Sequence, residues 1–121
     1  MKAASHQVLS ATTIVGDPVE NAQGESLGKI EELMIDLDRG SIAYAVLSFG
    51  GVLGIGDKLF AVPWEALSVD TTDKKVRLDV NKERLEDAPG FDKDHWPSAA
   101  DQSFLDQVYA YYEVTPYHEQ L

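Results

Sequence analysis

Asp36 and Asp38, followed by Arg39 and Gly40, carry the carboxylate spacing with which a calcium loop begins. Such a loop needs an oxygen-bearing side chain at its fifth position, glycine at its sixth and glutamate at its twelfth. Here Gly40 stands fifth and Leu47 twelfth, so the segment reads as a hairpin turn. Gly51 and Gly56 have the glycine spacing of a phosphate loop. The lysine and hydroxyl residue that should follow are replaced by Asp57, Lys58 and Leu59, and an aspartate at that place repels phosphate. Glu31-Glu32 and Asp92-Lys93-Asp94 offer paired carboxylates. Acid–base work needs a carboxyl of shifted pKa inside a cleft, and no pattern around either pair builds one. His6, His95 and His118 are scattered, and without cysteine the donors that zinc gathers in fours are too few. The expectation is therefore no catalytic residue, no metal ligand, no cofactor site and no enzyme.

Composition narrows the classes further. A chain of 121 residues is one domain's worth. Zero cysteines exclude disulfides and thiolate chemistry and fit a reducing cytoplasm. Met1–Ser10 does not read as a secretory signal, and no apolar run approaches the roughly 20 residues of a membrane-spanning helix. The net charge of −11 opposes phosphate backbones and anionic lipid, so neither nucleic acid nor a membrane span is expected. Charge is unevenly spread. Residues 86–121 carry eight acids and one base, Lys93, whereas residues 74–84 carry five bases and two acids. The acidic segment reads as a solubilising tail, or as a surface that meets the basic strip within one molecule or across a dimer.

The elements follow from periodicity. Gly16-Asp17-Pro18-Val19 starts a first strand, and Asn21–Gly24 is a turn. Residues 27–38 fit two periods. Ile30, Leu33, Met34 and Leu37 have helical spacing, while Leu33, Ile35 and Leu37 alternate like a strand. Length and the Asp38–Ser41 turn favour a strand, with a bulge near Glu31-Glu32 where the apolar parity changes. Ile42–Phe49 is apolar on both faces: Ile42, Tyr44 and Val46 one way, Ala43, Ala45, Leu47 and Phe49 the other. A central strand covered outside by another element would read so. After a glycine-rich loop, Leu59–Val62 is a short strand, and Pro63 opens a helical turn. Val69 leads into a turn at 71–74, and Val76, Leu78 and Val80 alternate as a half-buried strand. Asn81 caps a short helix over 82–87, ended by Pro89-Gly90. Residues 91–97 form an irregular crossing anchored by Phe91 and Trp96. Ser98 caps a last helix running to about Glu113, with Leu105, Val108 and Tyr112 as its stripe and Phe104 and Tyr109 beside it.

Taken in order, Gly24-Glu25, Leu27-Gly28-Lys29-Ile30, Asp36, Gly40, Tyr44-Ala45-Val46-Leu47, Gly50-Gly51 and Val62-Pro63-Trp64 resemble the PRC-barrel domain across roughly residues 12–80. The tail, with Asp101 and Tyr109–Tyr112, resembles the stand-alone bacterial form. The resemblance implies a mainly β fold: a small closed PRC-type β-barrel of five to six strands, with a short capping helix and a C-terminal α-helix. The organisation expected is a disordered N-terminal tail at 1–10, a barrel core at 11–80 and a helical extension at 81–121. Two settings come with the family: the cytoplasmic domain of the photosynthetic reaction-centre H subunit, and the C-terminal domain of a ribosome maturation factor that docks on a ribosomal protein. Neither the membrane helix of the first nor the extra N-terminal domain of the second is found in these 121 residues.

The function expected is a non-catalytic protein-interaction or scaffold module. The alternatives are a peripheral component of a photosynthetic or electron-transport complex, and a ribosome maturation or RNA-processing accessory acting through protein contacts. The partner is an unidentified protein or a second copy. Candidate surface residues are Val52, Leu53 and Ile55 on the glycine-rich loop, with Trp96 and Tyr111 as aromatic anchors.

Overall fold

The computed structural model describes residues 7–49, 58–98 and 101–115. Its architecture turns on strand β2, Ser26–Asp36, which buries Leu27, Ile30 and Leu33 while Lys29, Glu31 and Glu32 face solvent. A plain strand repeats every two residues, not three. Two bulges reconcile the difference. Against β1 (Pro18–Glu20), Pro18 opposes Lys29 and Glu20 opposes Ser26, so Leu27 and Gly28 together face Val19. Against β3 (Ser41–Phe49), Ile30 opposes Leu47 and Glu32 opposes Val46, which leaves Glu31 as the extra residue. Each bulge shifts the side-chain parity by one and returns the next apolar residue to the core. The second lies where the apolar parity changes in the sequence. Gly28 makes the first possible. Its φ is +96°, and a Cβ there would lie 2.0 Å from the Ser48 carbonyl oxygen.

One seven-stranded sheet results, in the order β5-β6-β1-β2-β3-β4-β7, where β4 is Lys58–Pro63, β5 Leu67–Asp70, β6 Lys75–Leu78 and β7 Gly90–Asp92. Every pairing is antiparallel except β1 with β6. This corrects the expected count of five to six strands. Among the described residues the hydrogen-bonded ladder ends at β5 and β7, so hydrogen bonds do not close the sheet into the expected barrel. The two added strands are short: β5 has four residues directly after a 3-10 turn at Trp64–Ala66, and β7 has three and begins with glycine. Neither is long enough to show a period.

The inner face gathers Val19, Leu27, Ile30, Leu47, Val62 and Val76 into one cluster. Leu85 of helix α2 (Lys82–Glu86) and Ile14 of the short helix α1 (Ala11–Ile14) join the same cluster. Leu85 is fully buried, which contributes about 2 kcal/mol. As expected, Asn81 caps α2: its side chain accepts from the Arg84 amide at 2.8 Å.

The outer face of β3 and β4 is apolar too, as the two-sided pattern of β3 requires. Val46 and Leu59 pack with Phe91, and Ala61 with Val108 and Tyr109 of helix α3 (Gln102–Tyr111). Ile42 departs from expectation. It packs with the inner cluster, because Ala43 bulges out of register between the pairs Tyr44–Met34 and Ile42–Ile35. The bulged carbonyl of Ala43 is not wasted: the Tyr109 hydroxyl donates to it at 2.5 Å. The cap of α3 is Asp101, whose carboxylate accepts from the Phe104 amide, and not Ser98. Ser98 takes part through its carbonyl, which accepts from the Asp101 amide. The helix stops at Tyr111, short of the expected Glu113, which sits at φ +57°. Val108 and Tyr109 are its fully buried residues, whereas Leu105 and Tyr112 of the expected stripe are only partly buried.

Three outcomes are expected. Replacing Gly28 with alanine sets a methyl group against backbone that cannot yield, and should cost about 2–4 kcal/mol, lowering Tm by on the order of 10 °C. Tyrosines 109 and 112 should behave oppositely. Tyr109→Phe removes a buried bond and costs about 1–2 kcal/mol. The Tyr112 hydroxyl is buried with no hydrogen-bond partner among the described residues, so Tyr112→Phe is neutral or stabilising by up to about 1 kcal/mol. Burial, and then the neighbouring Tyr111, push the Tyr112 phenol up despite Arg84; burial and then Asp101 push up Tyr44. Unfolded tyrosines ionise near pH 10, so the unfolded chain loses these protons first and stability falls above about that pH. In Tyr112→Phe that alkaline fall should be shallower, as denaturant titrations at pH 8 and pH 11 will read.

Candidate functional site

The carboxylates singled out as possible acids or ligands serve structural ends or face water. Asp36 closes the β2–β3 hairpin: its Oδ1 accepts from the Asp38 amide at 2.9 Å and the Arg39 amide at 3.2 Å, while its carbonyl accepts from Gly40. The hairpin reading of 36–40 therefore holds. Glu31 and Glu32 are exposed. So are Asp92, Lys93 and Asp94; His95 lies 3.9 Å from Asp92, and both side chains are open to solvent. Among the described residues no group of three or more histidines or carboxylates is placed to hold a metal ion.

One depression, about 480 Å³, lies where the β1–β2 turn meets the end of β6. Ala22, Gln23, Glu25, Asp79, Val80, Asn81 and Glu83 line it. Asn21, 1 % exposed, is bonded to three of these residues, Gln23, Glu25 and Val80. Its Nδ2 donates to Glu25 at 2.7 Å and to the Val80 carbonyl at 3.1 Å, and its Oδ1 accepts from the Gln23 and Glu25 amides. Every hydrogen-bonding position of that amide is occupied. The depression is thus the outer side of a structural joint, lined by carboxylates and amides and open to water.

A different surface stands out at the far end of β2. Leu33 and Ile35 share one side of β2 by strand alternation, and Leu37 follows them as the first residue of the turn. Their exposure climbs from 8 % to 52 % to 90 %. The apolar stripe begins in the core and runs off its end into solvent at the hairpin tip. Asp36 and Gly40 hold that tip rigid, Gly40 adopting φ +66°. Acids crowd the approach: Glu31, Glu32, Asp36 and Asp38 against Arg39 and Lys29. Sequence reasoning placed Leu33, Ile35 and Leu37 on one strand face and did not distinguish their burial. The signal that could have separated them was the pair of aspartates flanking Leu37, which no buried strand end would carry.

Of the surface residues expected from sequence, Val52, Leu53 and Ile55 lie outside the described residues. Trp96 is 42 % exposed. Its ring lies 4.9 Å from that of Phe91, and its indole nitrogen donates to the Lys93 carbonyl at 2.7 Å. Tyr111 is half-buried, not exposed. The Arg84 guanidinium stacks on its ring at 4.4 Å and donates to its carbonyl, and the Tyr111 hydroxyl donates back to the Arg84 carbonyl at 2.5 Å. The basic strip at 74–84 thus does meet the C-terminal segment within one molecule, through a ring and two carbonyls and not through carboxylates. Lys75 turns instead to Glu20, 3.2 Å away. Among the described residues no helix is long and apolar enough to cross a membrane.

No curated protein matches the chain. Among solved structures, one described as a 16S ribosomal RNA processing protein, RimM, from Pseudomonas aeruginosa is 17 % identical, with a TM-score of 0.44. The alignment covers 69 % of this chain and 50 % of that one, so the match spans half the length of the solved protein. The PRC-barrel domain matches residues 6–85, the stretch that holds α1, α2's core residue Leu85 and strands β1 to β6. By that match, the chain belongs to the PRC-barrel family.

Proposed function

We propose that this chain is a non-catalytic docking module whose partner is a protein, and that the β2–β3 hairpin tip is where it docks. The observation that carries the reading is the exposure of Ile35 and Leu37 on a turn already held rigid. Large aliphatic residues kept in water at a preorganised tip lose little entropy on burial, and that favours binding. The inner and outer faces of the sheet are filled by side chains, and the depression beside Asn21 holds no set of groups poised for proton transfer or nucleophilic attack. Membership of a family of interaction domains supports the same reading. The net charge of −11 favours a protein over a nucleic acid as partner. A cytoplasmic setting belongs to this reading. Docking on a reaction-centre-like complex or on a ribosomal protein would be two instances of it.

The test compares the tagged full chain with an Ile35→Ser/Leu37→Ser variant in pull-downs from native lysate, with light scattering of both. Because both residues face water, Tm should change by less than about 3 °C. Recovery of the partner should fall at least tenfold, since each buried aliphatic is worth about 1.5–3 kcal/mol. A wild-type chain that retains nothing, or a variant that retains the same proteins, overturns the reading. The identity of the protein retained separates the photosynthetic from the ribosomal instance.

A further inference from the structure

Strand β2 outruns its neighbour on the β1 side. β1 pairs with residues 26–29 only. The last backbone bonds from that side run from the Gly16 amide to the Ile30 carbonyl, 2.8 Å, and from the Ile30 amide to the Asp17 carbonyl, 3.0 Å. Before Gly16 the chain leaves the sheet for α1. On its other side β2 stays paired with β3 as far as Asp36. Residues 31–35 therefore form an open sheet edge, with no strand beside them among the described residues. A side chain stands in for the missing strand. The Leu33 amide donates to the carboxylate of its own neighbour, Glu32, at 3.3 Å. That oxygen occupies the place of a partner strand's carbonyl. The faces beside the edge differ in chemistry. Leu33 belongs to the inner cluster and Ile35 lies on the same side by alternation, while the other side holds Met34 and the exposed Glu32.

We propose that residues 31–35 take up an extended segment of a partner protein as an added strand, and that this segment alternates aliphatic with basic residues. The proposal rests on the docking reading of the same hairpin and names the partner's chemistry. Main-chain bonds along a free edge supply affinity, and the side chains flanking it supply selectivity. On one face the added strand lies beside Leu33 and the half-exposed Ile35, where an aliphatic residue removes apolar surface from water. On the other it lies beside Glu32. The incoming carbonyl takes the Leu33 amide and releases the Glu32 carboxylate, which a lysine or arginine of the segment then pairs. An acidic segment meets that freed carboxylate and Glu31 as like charges. The same repulsion opposes a second copy as occupant, because β2 laid on β2 crowds Glu31 and Glu32 of both copies along one seam.

The probe is a synthetic peptide of valine alternating with lysine, about ten residues long, added to the full chain and followed by NMR. Binding should slow hydrogen exchange of the Leu33 amide and move resonances centred on residues 31–35. A fully N-methylated peptide of the same sequence keeps the charge and the side chains but has no main-chain donors, and should bind at least about tenfold more weakly. A peptide of valine alternating with glutamate should lose about as much, and Glu31→Lys/Glu32→Lys in the full chain should reverse the preference between the two charges. Both glutamates are exposed, so the variant keeps its fold. A methylated peptide that binds as well as its parent overturns the proposal, because charge alone then accounts for binding. An unchanged charge preference in the Glu31→Lys/Glu32→Lys variant, or no protection of Leu33, does the same. So does protection of residues 31–35 that rises with protein concentration without peptide, which assigns the edge to a second copy. If the Ile35→Ser/Leu37→Ser variant loses its partner while these peptide results are negative, the tip docks through side chains and only the added strand is refuted.

Discussion

The approach of the Gly28 backbone to the Ser48 carbonyl is the contact on which the sheet depends. With no Cβ at Gly28, β2 can bulge against β1 and still lie close against β3. That bulge, with the one at Glu31, brings Leu27, Ile30 and Leu33 to one side of a strand that would otherwise alternate them in and out. A twice-bulged strand also twists and bends more sharply than a regular one. Curvature of that kind lets strands β1 to β6 share a single inner cluster, from Val76 on one wing to Phe60 on the other. It leaves the middle filled with aliphatic side chains and leaves function to the outside.

The outside is divided. Over β3 and β4 the sheet is covered by α3 and by the segment that carries Phe91 and Trp96. Beyond Leu33, β2 outruns its own core. The first region spends apolar surface on internal packing; the second leaves it bare. Both follow from the same central pair of strands. Residues between 42 and 49 are apolar on both sides because both sides are covered, whereas among the described residues Ile35 and Leu37, at the end of β2 and in the turn after it, stay largely open to water.

Much of this was legible in the sequence. The two-faced β3, the half-buried β6, the Asn81 cap, the Asp36 turn and the bulge near Glu31 each have a local signature that tertiary packing did not overrule. What escaped has physical reasons. The bulge at Leu27-Gly28 was not foreseen, and with the one at Glu31 it turns a period of two into a spacing of three at Leu27, Ile30 and Leu33. Strands β5 and β7 are stabilised by their neighbours and not by any pattern of their own. Ser98 and Asp101 are both good caps, and only the three-dimensional start of α3 selects between them. Ile42 changes sides because a bulge at Ala43 has no marker in an alanine. The surface was the hardest to read, since an aliphatic stripe looks the same whether its end is buried or free. Tyr111 shows the reverse: off the main helical stripe, it is withdrawn from water by an arginine on another helix.

The joint at Asn21 has a bearing on how the chain reaches this structure. It binds the β1–β2 turn to Val80, 59 positions later, next to the parallel pairing of β1 with β6. Nothing local can make that contact early, because β2 through β5 all lie between the two ends in the chain. The hairpins β2–β3 and β5–β6 can zip from their own turns, but β1 and β6 meet only after a long loop has closed. Loop closure over such a distance costs entropy before any pairing returns it, and non-local pairing of this kind slows folding. An amide that satisfies four partners at once is suited to a step that must succeed as a whole: a partial approach gains little, and the completed one locks the seam.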